Sequence, residues 1–201
     1  MLANLTPDLD LAARVFEALR ARTHDGVGIT REAYGPGERI AHEIVLAEAQ
    51  AIGLEIATDH MGNRFLTLPG ADRAAPQVIV GSHLDSVPRG GNYDGAAGVV
   101  AGLAAVAGMA RAGFTPGRDI TVMAIRAEEA GAWFPTSYPG SRGALGLLPP
   151  EELAVKRQDT GRTLAEHMRE EGFDPGFVEA RGRTFSPADT AAFLELHIEQ
   201  G

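Results

Sequence analysis

The chain has 201 residues, 44% of them hydrophobic, and a formal net charge of −9. This hydrophobic content suffices for a sizeable core, whereas an acidic chain without a run of lysines or arginines argues against nucleic acid or an anionic membrane as a partner. Because there is no cysteine, disulfides and thiolate zinc sites are excluded, and a bound metal would need imidazole and carboxylate ligands. The sequence shows neither a signal-peptide pattern nor a long apolar run, so we expect a cytoplasmic protein.

The first third of the chain predicts two helices followed by two strands. Residues 9–19 and 38–53 carry apolar side chains at helical spacing. Residues 54–59 and 63–68 read as short strands with turn-forming residues between them. We therefore expect two opening helices and then two strands joined by a tight turn.

A buried strand, helix and strand are predicted next. Residues 77–82 and 119–127 are apolar runs, which are typical of central parallel strands. Between them, residues 95–112 are rich in alanine, glycine, valine and leucine, and they predict a helix that packs closely on a sheet. Together these segments would form a right-handed crossover.

The remainder adds a loop-rich region and a last strand. Residues 130–186 contain frequent proline and glycine, with a short helix predicted at 164–171. Residues 191–198 predict one more buried strand. The fold class is therefore expected to be α/β, with a mixed, mostly parallel central sheet flanked by helices. In such sheets, chemistry collects at the carboxyl ends of the strands.

His83 directly follows the third predicted strand, and Asp85 comes two residues later. In an extended backbone these two side chains point to the same side, so the carboxylate can accept a hydrogen bond from the imidazole and fix its tautomer. This pattern favours a metal-ligating histidine with an orienting aspartate. The alternative is a structural histidine, which is the commoner case for a lone histidine, with Asp85 opening a turn.

Asp94 lies in a glycine-rich segment, residues 90–95. Glycines let the backbone turn sharply, so the carboxylate can be carried back toward the strand ends as a second ligand. An ordinary turn, or an N-cap for the following helix, remains an equal alternative.

Two further groups follow predicted strands. Glu128 and Glu129 come after an apolar strand instead of lying on a charged helix face. Such a pair can divide its roles, one carboxylate binding metal and the other acting as a general base. His197 follows the last strand and can bring a second imidazole to the same edge, although a core histidine is the alternative. The convergence of all these groups predicts a metal site.

The remaining aromatic and histidine residues carry weaker signals. Trp133 and Phe134, with Tyr138, could wall a pocket or plug the loop after the acid pair. The other histidines lack comparable neighbours, and we expect them to be exposed: His24, His42, His60 and His167.

With these residues in place, the chain resembles a family of di-metal amidohydrolases: the N-carbamoyl-L-amino acid hydrolases, allantoate amidohydrolases and β-ureidopropionases, which are related to di-zinc peptidases and aminoacylases. The resemblance covers nearly the whole chain and implies part of a zinc-exopeptidase-like catalytic domain. The segments that carry it occur in the family's order: residues 81–88, 90–95, 127–129, 133–134, 139–142 and 197–201.

The resemblance implies a site for two divalent metal ions, zinc or manganese and possibly cobalt or nickel. In that pattern His83 and His197 bind one ion, Glu129 binds the other, and Asp94 bridges the two. Imidazole and carboxylate ligands do not distinguish zinc from manganese.

The resemblance also implies the catalytic roles. The two ions would hold and acidify a water, and Glu128 would be the general base that takes its proton and returns it to the departing nitrogen. Asp85 would orient the site, and Gln200 would face the substrate. The implied reaction is hydrolysis of a linear amide or ureido C–N bond, in N-carbamoyl-L-amino acids or allantoate.

Members of that family are longer than this chain, with a lid and dimerisation domain after the segment at residues 197–201. Residues 1–201 would then be the N-terminal portion of the catalytic domain of a homodimeric enzyme that acts on a small molecule, and the chain alone would have little or no activity. The alternatives are a di-zinc peptidase or aminoacylase, or a non-catalytic truncated remnant. We also predict a strained or cis peptide bond beside Asp94, because such bonds can aim a bridging carboxylate.

Overall fold

The structure is a computed structural model, and it describes residues 5–184 and 186–199. Its first seven regular elements follow the predicted order, which is two helices, three strands, a helix and a strand. In chain order they are α1 (Leu9–Thr23), α2 (Pro36–Ile52), β1 (Glu55–Thr58), β2 (Arg64–Leu68), β3 (Gln77–His83), α3 (Ala96–Arg111), β4 (Ile120–Ile125), α4 (Pro139–Ala144), α5 (Leu164–Glu170), α6 (Gly176–Glu179) and β5 (Thr190–Leu194), with short 3₁₀ turns at Glu128–Ala132, Pro150–Ala154 and Pro187–Asp189.

The strands form one mixed sheet in the order β1-β2-β4-β3-β5. β1 pairs with β2, and β2 with β4, in antiparallel fashion. β3 is parallel to both of its neighbours, β4 and β5. The α/β fold class is therefore confirmed, with the parallel strands on the side of the sheet that carries His83. β3, α3 and β4 form the predicted strand, helix and strand unit.

Small residues let α3 lie close to the sheet. A Cβ atom on Gly98 would come within 2.4 Å of the Leu196 carbonyl oxygen and 2.6 Å of the Ser82 Cβ. At Gly102, the next turn of the helix, the nearest atom would be the Val80 side chain at 3.1 Å. The alanine and glycine content of this helix therefore sets the distance between helix and sheet, and so the position of the strand ends.

The described residues form two large apolar cores and a third, smaller cluster of Ile79, Met123 and Ile125. The larger one packs the helices α1, α2 and α3 against one face of the sheet. The second gathers residues from the loop-rich region, and Trp133 and Phe134 lie buried within it. These two rings therefore plug the loop instead of walling a pocket, whereas Tyr138 is half-exposed.

The prediction of a buried last strand at residues 191–198 is wrong in extent and in burial. β5 ends at Leu194, and Phe193 and Leu194 are 44% and 55% exposed. The physical reason is topological, because β5 forms an edge of the described sheet and pairs with β3 alone. Apolar composition by itself does not distinguish an edge strand from a central one.

Two of the four histidines expected at the surface are buried. His42 is 1% exposed and His167 is 4% exposed, whereas His24 and His60 are exposed as predicted. Both buried histidines lie on the inward faces of their helices, α2 and α5. Within the described residues, no helix is both long and apolar enough to cross a membrane.

Candidate metal centre

The predicted ligands meet at the carboxyl ends of the parallel strands. His83 is the last residue of β3, and its Nε2 lies 2.9 Å from the Nε2 of His197, which follows β5. The same His83 atom is 3.5 Å from the Glu128 Oε2 and 3.8 Å from the Asp94 Oδ1. One imidazole nitrogen therefore faces a second imidazole and two carboxylates.

Two overlapping groups of side chains could hold a metal ion. His83, Asp94 and His197 form one, and His83, Glu128 and Glu129 form the other; within each group the ligand atoms lie within 4.8 Å of one another. Imidazole nitrogen with carboxylate oxygen suits divalent ions such as zinc. The donor types are those that the sequence predicts, and the first group contains three of the predicted ligands. The second group contains Glu128, the predicted general base, and does not include Asp94, the predicted bridging ligand. Gln200, the predicted substrate-facing residue, lies outside the described residues.

Asp85 does more than orient an imidazole. Its wholly buried carboxylate lies 3.3 Å from the His83 Nδ1, whose proton is also shared with the Asp85 carbonyl oxygen at 2.9 Å. The same carboxylate accepts hydrogen bonds from the backbone N–H of Glu128 at 3.0 Å and of Glu129 at 2.9 Å. Because Nδ1 is held by Asp85, Nε2 is the His83 nitrogen that faces the centre. Asp85 therefore fixes the imidazole and both acidic residues together.

The charges at this edge shift two ionisation equilibria. Burial lowers the pKa of His83, but the hydrogen bond with Asp85 and the negative charges of Asp85, Glu128 and Asp94 outweigh it and raise this pKa to about 9. Burial raises the pKa of the Glu128 carboxyl, with the charge of His83 acting in the opposite sense. A raised carboxyl pKa brings a group closer to the range that general-base catalysis requires.

Of the predicted strained or cis peptide bond beside Asp94, the cis alternative is wrong, because no peptide bond in the described ranges is cis. Gly95, with φ 59° and ψ −42°, makes the turn instead, and the N–H of Ala96 reaches back to the Asp94 carbonyl at 2.5 Å. This is a three-residue γ-turn of the rare positive-φ form. A Cβ on Gly95 would lie 2.4 Å from the His83 ring. The glycine thus serves the predicted purpose, which is to aim the Asp94 carboxylate.

Glu38, in the first turn of α2, is a site residue that sequence reasoning missed. Its carboxylate accepts hydrogen bonds from the Ala127 N–H at 2.7 Å, the Tyr34 N–H at 2.7 Å and the Arg126 Nη1 at 3.0 Å. Ala127 has a φ of 54°, which is uncommon for a residue with a side chain. Glu38 and Asp85 therefore receive three successive backbone N–H groups and hold the turn that carries Glu128.

Burial raises the pKa of Glu38 to about 7, although Arg126 and the two backbone donors act the other way. In the sequence, Glu38 reads as an ordinary acidic residue near the start of a helix, where acids favour the helix dipole. No pattern linked it to residues almost ninety positions later.

Arg31, in the connection between α1 and α2, is the second residue that sequence reasoning missed. Its side chain is wholly buried and donates hydrogen bonds to the carbonyl oxygens of Leu84 and Asp94. The sequence could not indicate this role, because it depends on the connection between α1 and α2 lying beside the loop that carries Asp94.

A groove of about 700 Å³ opens beside Glu128 along one face of the sheet. Its lining is largely apolar and includes Met123, Ile125 and Phe193. It joins the metal centre to the exposed side of β5, so this face of the site is open in the described part of the chain.

Comparison with known proteins supports the family that the residues indicate. A model of peptidase family M28 matches residues 63–155. An N-carbamoyl-L-amino-acid amidohydrolase of Paenarthrobacter aurescens is 38% identical over 177 residues, which are 88% of this chain and 42% of that protein. An allantoate amidohydrolase of Bacillus subtilis is 35% identical over 174 residues, covering 87% of this chain and 41% of that protein.

The fold agrees with the sequence comparison. A solved hydantoinase/carbamoylase family amidase from Burkholderia ambifaria superposes with a TM-score of 0.80 at 32% identity, over 99% of this chain and 47% of that one. This chain spans about two fifths of the length of the curated relatives named above. By its sequence, its sheet and the residues at the strand ends, the chain belongs to the hydantoinase/carbamoylase family of amidohydrolases.

Proposed function

We propose that this chain supplies the metal centre of a hydrolase of linear amide or ureido C–N bonds, with N-carbamoyl-L-amino acids or allantoate as substrates. The observation that carries the proposal is the meeting of His83, His197, Asp94 and the Glu128–Glu129 pair at one edge of the sheet. The names of the curated relatives support the substrate class.

The ligands that we propose are His83, Asp94, Glu129 and His197, arranged for two divalent ions. Bound divalent ions, zinc or manganese and possibly cobalt or nickel, would supply Lewis-acid activation of the water and of the carbonyl group. Their identity and number belong to the proposal. Because Asp85 holds Nδ1, a metal would bind at the His83 Nε2 and displace the proton that this nitrogen carries when the ring is protonated.

Glu128 is proposed as the general base. Its side chain is 26% exposed and reaches the centre without being enclosed by it, so a water can lie against its carboxylate. Glu128 takes a proton from that water as the oxygen adds to the carbonyl carbon. It then gives the proton to the departing nitrogen as the C–N bond breaks. Gln200 is proposed to contact the substrate.

The test is a substrate panel given to the full-length protein and to its Glu128→Gln variant. The panel contains N-carbamoyl amino acids, allantoate, N-acyl amino acids and dipeptides. We expect turnover of a carbamoyl or ureido substrate, with kcat reduced by at least about 100-fold in the variant and KM little changed. Turnover of dipeptides alone would contradict the proposal.

Turnover of dipeptides alone would favour the second candidate function, which is that of a di-metal peptidase or aminoacylase. The match to peptidase family M28 is the observation that supports this second candidate. We further propose that the whole protein is a cytoplasmic homodimer with a small-molecule substrate. For this chain alone we expect little or no activity, since it spans less than half of its relatives.

A further inference from the structure

The Arg31 side chain joins the two segments that present His83 and Asp94. Its Nε donates a hydrogen bond to the Leu84 carbonyl oxygen at 2.6 Å, just beyond the end of β3. Its Nη2 donates to the carbonyl oxygen of Asp94 at 2.7 Å. One rigid, planar guanidinium therefore links the carbonyl oxygen of Leu84, which follows the predicted ligand His83, to the carbonyl oxygen of the predicted ligand Asp94.

The backbone around Arg31 is held to the same loop. Its N–H donates to the Ser86 Oγ at 3.0 Å, and its carbonyl oxygen accepts from the Ser86 N–H at 2.9 Å. Two residues earlier, Ile29 and Gly90 exchange N–H to carbonyl hydrogen bonds at 3.0 and 2.8 Å. The connection between α1 and α2 thus lies alongside the loop between β3 and α3, and the guanidinium has little freedom to move.

The charge of Arg31 is hard to explain by stability alone. Its side chain is wholly buried, and its Nη1 has no hydrogen-bond partner in the described part of the chain. Burying a charge costs free energy, and well-packed apolar side chains often serve a core as well as buried ionic groups do. Here the carboxylates that interact with the guanidinium are those of Asp94, Asp85 and Glu38. A buried cation therefore lies among the acidic groups of the centre.

We propose that Arg31 is a positioning residue that fixes the distance between His83 and Asp94 and so pre-forms the metal centre. The inference rests on the proposed metal site and acts through the backbone carbonyls of Leu84 and Asp94. Without Arg31, the loop that carries Asp94 would keep its anchors at residues 86–90 and the hydrogen bond from the Val87 N–H to the Asp94 carboxylate, but it would lose the side-chain donor at the Asp94 carbonyl oxygen.

The experiment compares Arg31→Met and Arg31→Lys with the unsubstituted chain. Methionine removes both hydrogen bonds and the charge, whereas lysine keeps the charge but cannot span the two carbonyl groups. Leu19→Ala is the matched control, because it destabilises the helical core and leaves both hydrogen bonds of Arg31 in place. Should Arg31→Met not fold, Arg31→Lys carries the same test.

Three measurements are made on each protein. Hydrogen exchange on the metal-free chain reports local opening at residues 84–96. Calorimetric titration gives the Kd for zinc, and the visible spectrum of the cobalt(II) form reports ligand geometry. We expect both Arg31 variants to exchange faster than the unsubstituted chain, with the increase confined to residues 84–96. They should also bind zinc about tenfold or more weakly and show altered cobalt bands. In each measurement, Arg31→Lys should lie closer to the unsubstituted chain than Arg31→Met.

The inference would be overturned if the Arg31 variants matched the unsubstituted chain in local exchange, zinc affinity and cobalt spectrum. It would also be overturned if their changes were the same as those of Leu19→Ala. The exchange measurement decides it even if the unsubstituted chain binds no zinc. That last result would count against the proposed function, while faster exchange confined to residues 84–96 would still support the role of Arg31.

Discussion

His42 should make the protein sensitive to acid, and replacing it with leucine should remove that sensitivity. The ring is 1% exposed, and neither nitrogen has a hydrogen-bond partner among the residues that the structure describes. Burial lowers the pKa of His42 well below 6.5, and the positive charges of Arg126 and Arg64 lower it further. The folded protein therefore keeps this ring neutral at a pH where the unfolded chain binds a proton.

The sign and size of the effect follow from proton linkage. Below pH 6.5 the unfolded state binds more protons than the folded state, so the free energy of unfolding falls as the pH falls. One pH unit below 6.5, the His42 contribution is at most about 1.4 kcal/mol, which is its size when the ring stays neutral in the folded state, and it approaches zero above pH 7.5. For a chain of this size, about 1.4 kcal/mol corresponds to roughly 3 to 6 °C in Tm.

The assay is urea unfolding of the metal-free chain and of His42→Leu at pH 5.5 and pH 7.5. Leucine has a similar volume and no polar atom to leave unsatisfied, so we expect the variant to be as stable at pH 7.5 or slightly more so. Between pH 7.5 and 5.5 it should lose up to about 1.4 kcal/mol less stability than the unsubstituted chain. Equal losses in both proteins would show that His42 is protonated in the folded state and would refute the reasoning.

Three further predictions concern the metal centre and the open face. Gly95→Ala should destabilise the protein by about 2 kcal/mol or more and weaken zinc binding, because the new Cβ would clash with His83 and the residue has a positive φ. Gly91→Ala is the control, since nothing lies near its new Cβ, and it should change neither the stability nor the zinc affinity. Thermal unfolding and calorimetric titration measure the two quantities. Asp94→Ala should abolish zinc binding by calorimetry while leaving the far-ultraviolet circular dichroism unchanged; full zinc affinity in the variant would remove Asp94 from the ligand set. The chain should self-associate through the exposed apolar face of β5, and Phe193→Lys should shift sedimentation toward the monomer; an unchanged distribution would place the contact elsewhere.

Much of the fold could be read from local patterns. Apolar spacing predicted α1 and α2, and the apolar runs predicted β3 and β4, to within a few residues of their observed bounds. The glycine and alanine content of α3 correctly indicated close packing on the sheet. These features depend on near neighbours in the chain, which is why the sequence alone was sufficient for them.

The candidate site was predictable where strand ends determine it. His83, Glu128 and His197 each follow a predicted strand, and parallel strands bring such residues to one edge. The prediction of a cis bond at Asp94 was wrong, because Gly95 makes the turn through its positive φ angle. The burial of His42 and the exposure of β5 were also missed, since both depend on which element lies opposite.

The sequence by itself determined most of the main elements, the class of candidate metal ligand and the strand ends that carry the ligands, because apolar periodicity and the order of elements along the chain are local properties. Only the tertiary structure decided what supports them. Arg31 meets the Asp94 carbonyl across 63 positions, and Glu38 meets the Ala127 N–H across 89. Such contacts leave no periodic signal, because a buried charge is stabilised by whichever polar groups the folded chain places around it.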